Sequence, residues 1–137
     1  MSIVVMKFGG SSVGNEENFF SPENMPKLAQ IVKLEQTRGH KVVVVISAMS
    51  GVTRKLKAFC ETLNPGMNAA DSDVVLTSGE QITAGLMSGL LNGSGVKAKS
   101  MLAWQIPFVT DNVFGGAQVK NVSAEKILDL IGKGIVP

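Results

Sequence analysis

The chain is predicted to fold as an α/β domain, a three-layer, open and mainly parallel sheet with helices on both faces. Three observations carry this expectation. Short strand-like runs recur at residues 2 to 7, 42 to 47, near 96 to 100, near 107 to 110 and at 134 to 137. Helical patterns fill most of the intervals between them, which is the alternation that βαβ units leave in a sequence. Hydrophobic residues make up 45% of the chain and the mean hydropathy is +0.23, a richness that suits strands buried on both faces. At 137 residues the chain has the length of one domain and needs neither disulfides nor metals to bury a core.

The elements follow in order. The first strand, Ile3-Val4-Val5-Met6-Lys7-Phe8, runs into the small-residue loop Gly9-Gly10-Ser11-Ser12-Val13-Gly14. Val and Ile favour the strand, and the paired glycines let backbone come close to a ligand without a Cβ in the way. Ser11, Ser12 and Asn15 are good N-cap residues, so a helix N-terminus is expected to point into the same place. A helical stretch from about Glu16 to Arg38 is interrupted by Pro22 and Pro26; its main part carries Leu28, Ile31, Val32 and Glu35 at helical spacing, and Gly39 closes it. A helix over Thr53 to Leu63 lines up Leu56, Phe59, Cys60 and Leu63, and ends at Asn64-Pro65-Gly66. The next, from about Ser72 to Leu91, is expected to bury Val75, Ile82, Leu86, Leu90 and Leu91, with Asn92-Gly93 as its stop. The last spans Ser123 to Ile131 and ends at Gly132. Gly134-Ile135-Val136-Pro137 looks like the start of another buried strand, and an uncovered edge of Ile and Val invites association with another chain.

Composition narrows the function. Thirteen Lys and Arg against eleven Asp and Glu give a formal charge of +2, with no basic run and few aromatic residues to stack on bases, so no nucleic-acid partner is expected. No membrane partner is expected either: the run Val42 to Ile46 is far too short to span a bilayer, and Met1 to Val13 lacks the pattern of a signal peptide. A cytoplasmic location is expected. The single cysteine agrees with a reducing compartment.

Chemistry concentrates in three places. The first loop can cradle phosphate on its N–H groups, with Lys7 adding a full charge; a tight turn with no ligand is the other reading of Gly9-Gly10. It is not a Walker loop, where the lysine follows the glycines, and Gly9, Gly10 and Gly14 do not give the dinucleotide spacing. The second loop, Ile46-Ser47-Ala48-Met49-Ser50-Gly51-Val52-Thr53, also follows a strand and opens a helix, so its hydroxyls should lie at the C-terminal end of the same sheet, where open α/β sheets bind ligands. Ser50 or Thr53 as a plain N-cap is the alternative. The third cluster, Thr77-Ser78-Gly79-Glu80-Gln81, sits inside a helical pattern despite its glycine. Such a glycine costs about 1 kcal/mol relative to Ala, and close approach by a neighbour or ligand would explain it. Glu80 is either a ligand-binding carboxylate or solvated surface.

Together, Lys7-Phe8-Gly9-Gly10-Ser11-Ser12-Val13, Val44-Val45-Ile46-Ser47-Ala48-Met49-Ser50-Gly51-Val52-Thr53 and Ser78-Gly79-Glu80-Gln81 resemble the N-terminal part of the aspartate kinases, within the amino acid kinase family. The likeness continues through Gly95-Val96, Ala103-Trp104-Gln105, Thr110-Asp111 and Gly132-Lys133-Gly134-Ile135-Val136-Pro137, and so covers the whole chain. It implies an amino acid kinase-like, truncated fold, and transfer of the γ-phosphate of Mg-ATP to the side-chain carboxylate of L-aspartate in lysine, threonine and methionine biosynthesis. By the same resemblance Lys7 is the catalytic cation, and Lys7, Phe8, Gly9, Gly10 and Ser11 form the ATP phosphate site. Ser47, Thr53 and Glu80 take L-aspartate, Glu80 receiving its ammonium group. Mg2+ arrives with the nucleotide, and no protein metal site is expected. A carboxylate nucleophile is already ionised at neutral pH, so no catalytic histidine is required; charge stabilisation is what the site must supply. A buried Glu80 would be expensive unless paired, which suits a cationic ligand. Lys7 and Glu80 are accordingly expected to share one cavity. Ser11 stands where the family usually has Thr.

The family's later Gly-Arg-Gly-Gly-Ser-Asp motif, its adenine, ribose and Mg segments and its ACT domains are not found in these residues. Residues 1–137 are therefore expected to be the substrate-binding part of a kinase domain, with negligible kinase activity alone, working as a homo-oligomer or paired with a C-terminal half. The competing readings are another member of the family, or a noncatalytic remnant that keeps the fold. Other eye-catching residues read as structural: His40 as a turn residue, Cys60 as core, Asp71 and Asp73 as helix caps, and the seven Met as gap fillers. Trp104 braces either the substrate pocket or a subunit contact.

Overall fold

The computed structural model describes residues 2–14 and 22–137. Asn15 and residues 16–21 of the first helical stretch lie outside them. Strand β1 (Ile3–Phe8) pairs in parallel with β2 (Lys41–Ile46), Ile3 opposite Lys41 and Phe8 opposite Ile46. Beyond β2 the ladder continues weakly: the Val44 N–H donates to the Pro137 carbonyl (3.0 Å), and Val136 forms a parallel bridge with Ala98. The runs expected as strands near 96–100 and at 134–137 are thus single-bridge pairings, in the sheet order β1, β2, Val136, Ala98.

Between the strands run the one-turn α1 (Gly10–Val13), α2 (Met25–Thr37), α3 (Val52–Leu63) and α4 (Ala69–Gly93). A 3-10 turn (Ala103–Gln105) follows, then β3 (Phe108–Thr110), β4 (Val119–Val122) and α5 (Glu125–Gly132). Right-handed crossovers from β1 to β2, and from β2 out to Ala98, place α2, α3 and α4 on one face. The connection that returns from Ala98 to Val136 runs the other way across the sheet, so the same rule places α5 on the second face. The burial agrees, because Leu130 and Ile131 of α5 are buried yet stand outside the main core cluster. That cluster joins Phe8, Val13, Met25, Leu28, Val32, Val42, Met87, Leu91 and Val136. On the second face Ile3, Val5 and Val45 remain exposed.

Several elements differ from the sequence expectation, each for a physical reason. α4 begins at Ala69 rather than Ser72 because Asn68 is its N-cap: Asn68 Oδ1 accepts the Asp71 N–H at 2.9 Å, and Asn68 Nδ2 donates to Asp71 Oδ2 at 2.6 Å. Asp71 is therefore a first-turn partner of the cap, and Asp73 instead accepts the Gly115 N–H at 2.8 Å. Substituting Asn68 with Ala is expected to cost about 1 kcal/mol, read as a lowered midpoint in urea unfolding. The buried face of α4 is Gly79, Thr83, Met87 and Leu91. Ile82, Leu86 and Leu90, expected inside, are exposed, and they sit one position away around the helix. In α3, Cys60 is buried as expected, whereas Phe59 and Leu63 are exposed.

Two further differences lie in the turns. α5 starts at Glu125 instead of Ser123. β3 does not extend the parallel sheet but pairs antiparallel with β4, a strand the sequence reading did not include. Gly39 behaves as expected: at φ +85° it follows α2, its N–H donates to the Gln36 carbonyl, and the His40 N–H donates to the Glu35 carbonyl, the paired bonds that end a helix and release the chain into β2.

Candidate active site

β1 and β2 are parallel and in register, so the loops that leave them emerge side by side at their C-terminal ends. The loops are strapped together. The Ser47 N–H donates to the Phe8 carbonyl at 3.0 Å, and the Ser50 N–H donates to the Gly10 carbonyl at 3.2 Å. A Cβ on Gly10 would lie 2.9 Å from the Ala48 carbonyl oxygen and 3.2 Å from the Ser50 nitrogen. Gly10 thus has a structural reason to be glycine: backbone passes where a side chain would begin. Its single helical turn, capped by Gly9, leaves the N–H groups of Gly10 and Ser11 without partners inside the helix.

The second loop enters α3 through Gly51, which takes φ +77° as the N-cap and offers no side-chain cap. Ser50 and Thr53 are therefore not the cap of α3. Thr53 is exposed in its first turn, Ser47 is partly buried, and Ala48, Met49 and Val52 are buried.

On the far side of this loop stands α4. A Cβ on Gly79 would come within 2.9 Å of Ala48 Cβ and 3.2 Å of Val52 Cγ1, so the glycine expected from sequence to mark a close approach does mark one, made by protein. That contact brings the next residue, Glu80, into range: the Ala48 N–H donates to Glu80 Oε1 at 3.2 Å. Glu80 is exposed rather than buried, and the described residues make no hydrogen bond to its Oε2. Its carboxylate borders a cavity of about 630 Å3, walled by Val44, Ile46, Thr77, Gln81 and Trp104 among others. The wall is mostly apolar, with polar groups from Thr77, Glu80, Gln81 and Ser88 on α4 and from Lys99 and Ser100 beyond it, the composition of an orienting small-molecule site.

The structure brings Glu80 together with the Gly9–Gly14 loop through one intervening residue, Ala48. Lys7 is not among the residues that border the Glu80 cavity, although its register partner Val45 is. Side chains alternate along a strand. Phe8 turns into the core that α2 and α4 cover, so Lys7 falls on the opposite face, exposed and beside its register partner Val45. Lys7, Ser47 and Thr53 do not border the 630 Å3 cavity; Glu80 does. Thr77 and Gln81, named in the sequence only as neighbours of Glu80, and Trp104 join it there. The Ala48 N–H had no side-chain signature to reveal it. His40 pairs with Ser2 Oγ at 2.8 Å, at the ends of β1 and β2 opposite to this loop cluster.

Among the described residues, no group of three or more His, Cys, Asp or Glu side chains is placed to hold a metal ion. No helix among them is long and apolar enough to cross a membrane.

A parallel sheet whose strand ends carry a Lys-Phe-Gly-Gly loop, a Ser-rich loop and a helical acidic residue is the arrangement of an α/β domain that binds small molecules at the C-terminal ends of its strands. The model of the amino acid kinase family matches residues 2–137, and the chain belongs to that family. It is 37% identical to the aspartokinase of Rickettsia felis over 140 aligned positions, which cover 100% of this chain and 33% of the relative. With the aspartokinase of Thermus thermophilus it shares 34% over 136 positions, 99% of this chain and 32% of that one. Among solved structures it is similar to the aspartate kinase from Synechocystis, at a TM-score of 0.79 and 28% identity over 98% of this chain and 20% of that one. The chain spans about a third of the length of the curated relatives it matches.

Proposed function

We propose that residues 1–137 form the L-aspartate-holding part of an aspartate kinase, which transfers the γ-phosphoryl group of ATP to the side-chain carboxylate of L-aspartate. The single observation that carries this is the carboxylate of Glu80, oriented by the Ala48 N–H at the wall of a cavity large enough for an amino acid. Likeness to named aspartokinases along the whole chain supports it.

Glu80 receives the ammonium group, and its fixed orientation aims the substrate's own carboxylate toward the loop that follows β1. The N–H groups of Gly9, Gly10 and Ser11 donate to phosphate oxygens, and Phe8 seats that loop on the core. Lys7 balances charge on the transferring group from the second face of the sheet. Ser47 and Thr53 contribute hydroxyls from the strap between the two sides. ATP is the co-substrate, and Mg2+, which comes with it, neutralises phosphate charge. Losing one such donor typically lowers a rate by about a hundredfold or more. The place of this activity is the cytoplasm, in the synthesis of lysine, threonine and methionine, and the protein acts as a homo-oligomer or with a C-terminal half.

Isothermal titration of the 137-residue protein with L-aspartate tests the reading. Saturable one-site binding is expected, and absence of any binding heat at several temperatures would overturn it in favour of a noncatalytic remnant.

A further inference from the structure

One short piece of backbone is held between two glycines. On one side Gly10 touches it: a Cβ there would meet the Ala48 carbonyl oxygen at 2.9 Å, and the Gly10 carbonyl accepts the Ser50 N–H. On the other side Gly79 touches it: a Cβ there would meet Ala48 Cβ at 2.9 Å. Neither contact can relax by swinging a flexible side chain, because one partner is backbone and the other is a Cβ fixed to backbone. Ala48 itself is 4% exposed, and Met49 and Val52, at 2% and 3%, hold the loop into the core. The Ala48 peptide thus fixes how far the loop after β1 stands from α4. The same residue supplies the N–H that orients Glu80.

We infer that Ala48, clamped between Gly10 and Gly79, is a spacer that sets the distance and orientation between the phosphate loop and the Glu80 carboxylate, and that Gly79 is a positioning residue for L-aspartate. This rests on the proposed role of Glu80 in taking L-aspartate. The reason is geometric. Moving α4 away by the few tenths of an ångström that a Cβ at position 79 requires would break a 3.2 Å hydrogen bond already at the long end of its range. Glu80 would then keep its charge and lose its orientation, and small misplacements of orienting groups are costly in sites of this kind.

The test uses the 137-residue protein and two readouts. The first is the amide resonance of position 48 and its hydrogen exchange; the second is L-aspartate affinity by calorimetry. In Glu80→Ala the amide of position 48 shifts and exchanges faster, which calibrates the hydrogen bond. Gly79→Ala is expected to reproduce that amide change although Glu80 is intact, and to weaken L-aspartate binding by about tenfold or more. Removing the opposing methyl in the double variant Ala48→Gly, Gly79→Ala should restore most of both, which a general loss of folding would not do. The inference is overturned if Gly79→Ala leaves the position 48 amide unchanged, or if the double variant is no better than the single one. Should the amide behave as expected while no form binds L-aspartate, the spacer stands and the substrate assigned to Glu80 falls.

Discussion

Replacing Glu80 with Ala is expected to weaken L-aspartate binding by about 2–3 kcal/mol, the worth of a hydrogen bond between two charged groups, or roughly 30- to 150-fold in Kd. The size follows from what the substitution removes: the anion that meets the ammonium group, and the acceptor for a buried N–H. These two losses separate. Glu80→Gln keeps an oxygen for the Ala48 N–H and discards only the charge. It should bind L-aspartate almost as poorly as Glu80→Ala yet unfold close to the unsubstituted protein, whereas Glu80→Ala, which strands the Ala48 N–H, should lose about 1 kcal/mol of stability. Calorimetry and urea unfolding on the same three proteins check both halves. Equal affinity in all three would remove Glu80 from the site.

The largest effect on stability is expected at Leu91. Its side chain is 1% exposed on the buried face of α4, within the cluster that joins Met87, Val42 and Val136. Leu91→Ala should cost about 2–5 kcal/mol, a large part of the roughly 5–15 kcal/mol that holds a domain folded. Its neighbour gives the control: Leu90 is exposed, and Leu90→Ala should cost far less. The pair reads out by urea midpoints which face of α4 is inside. Similar losses at both positions would contradict the packing.

That face was the least legible part of the sequence. α4 carries no charge from Gln81 to Leu91 and has apolar residues on several sides, so Ile82, Leu86 and Leu90 fit a buried stripe as well as Thr83, Met87 and Leu91 do. Gly79 decides between them, because only its side allows backbone this close to Ala48 and Val52. The sequence did carry a sign of this, since a glycine in a helix interior asks for a reason. β1 and β2 were legible because Val and Ile runs followed by Gly and Ser loops have few other readings. The β3–β4 hairpin was not: Val119–Val122 is four residues long, and its partner choice depends on contacts outside any local pattern.

In the site, the loops were readable as loops, but the facing of Lys7 was not. It depends on which of two alternating rows turns toward α2 and α4, and a one-residue slip reverses every side chain. Phe8, the bulkier apolar neighbour, takes the core row and sends Lys7 to the other face. The bond from the Ala48 N–H to Glu80 was beyond sequence reading, because a main-chain donor leaves no trace in residue type.

The most direct measurement is an amide and indole chemical-shift titration of the protein with L-aspartate and, in parallel, with succinate, which has the same two carboxylates and no ammonium group. L-Aspartate should produce saturable shifts at Ala48, Thr77, Gln81 and the Trp104 indole, and succinate should leave them in place. Shifts of equal size with succinate, or shifts with L-aspartate that avoid the surroundings of Glu80, would contradict the assignment of this carboxylate as the seat of the substrate's ammonium group.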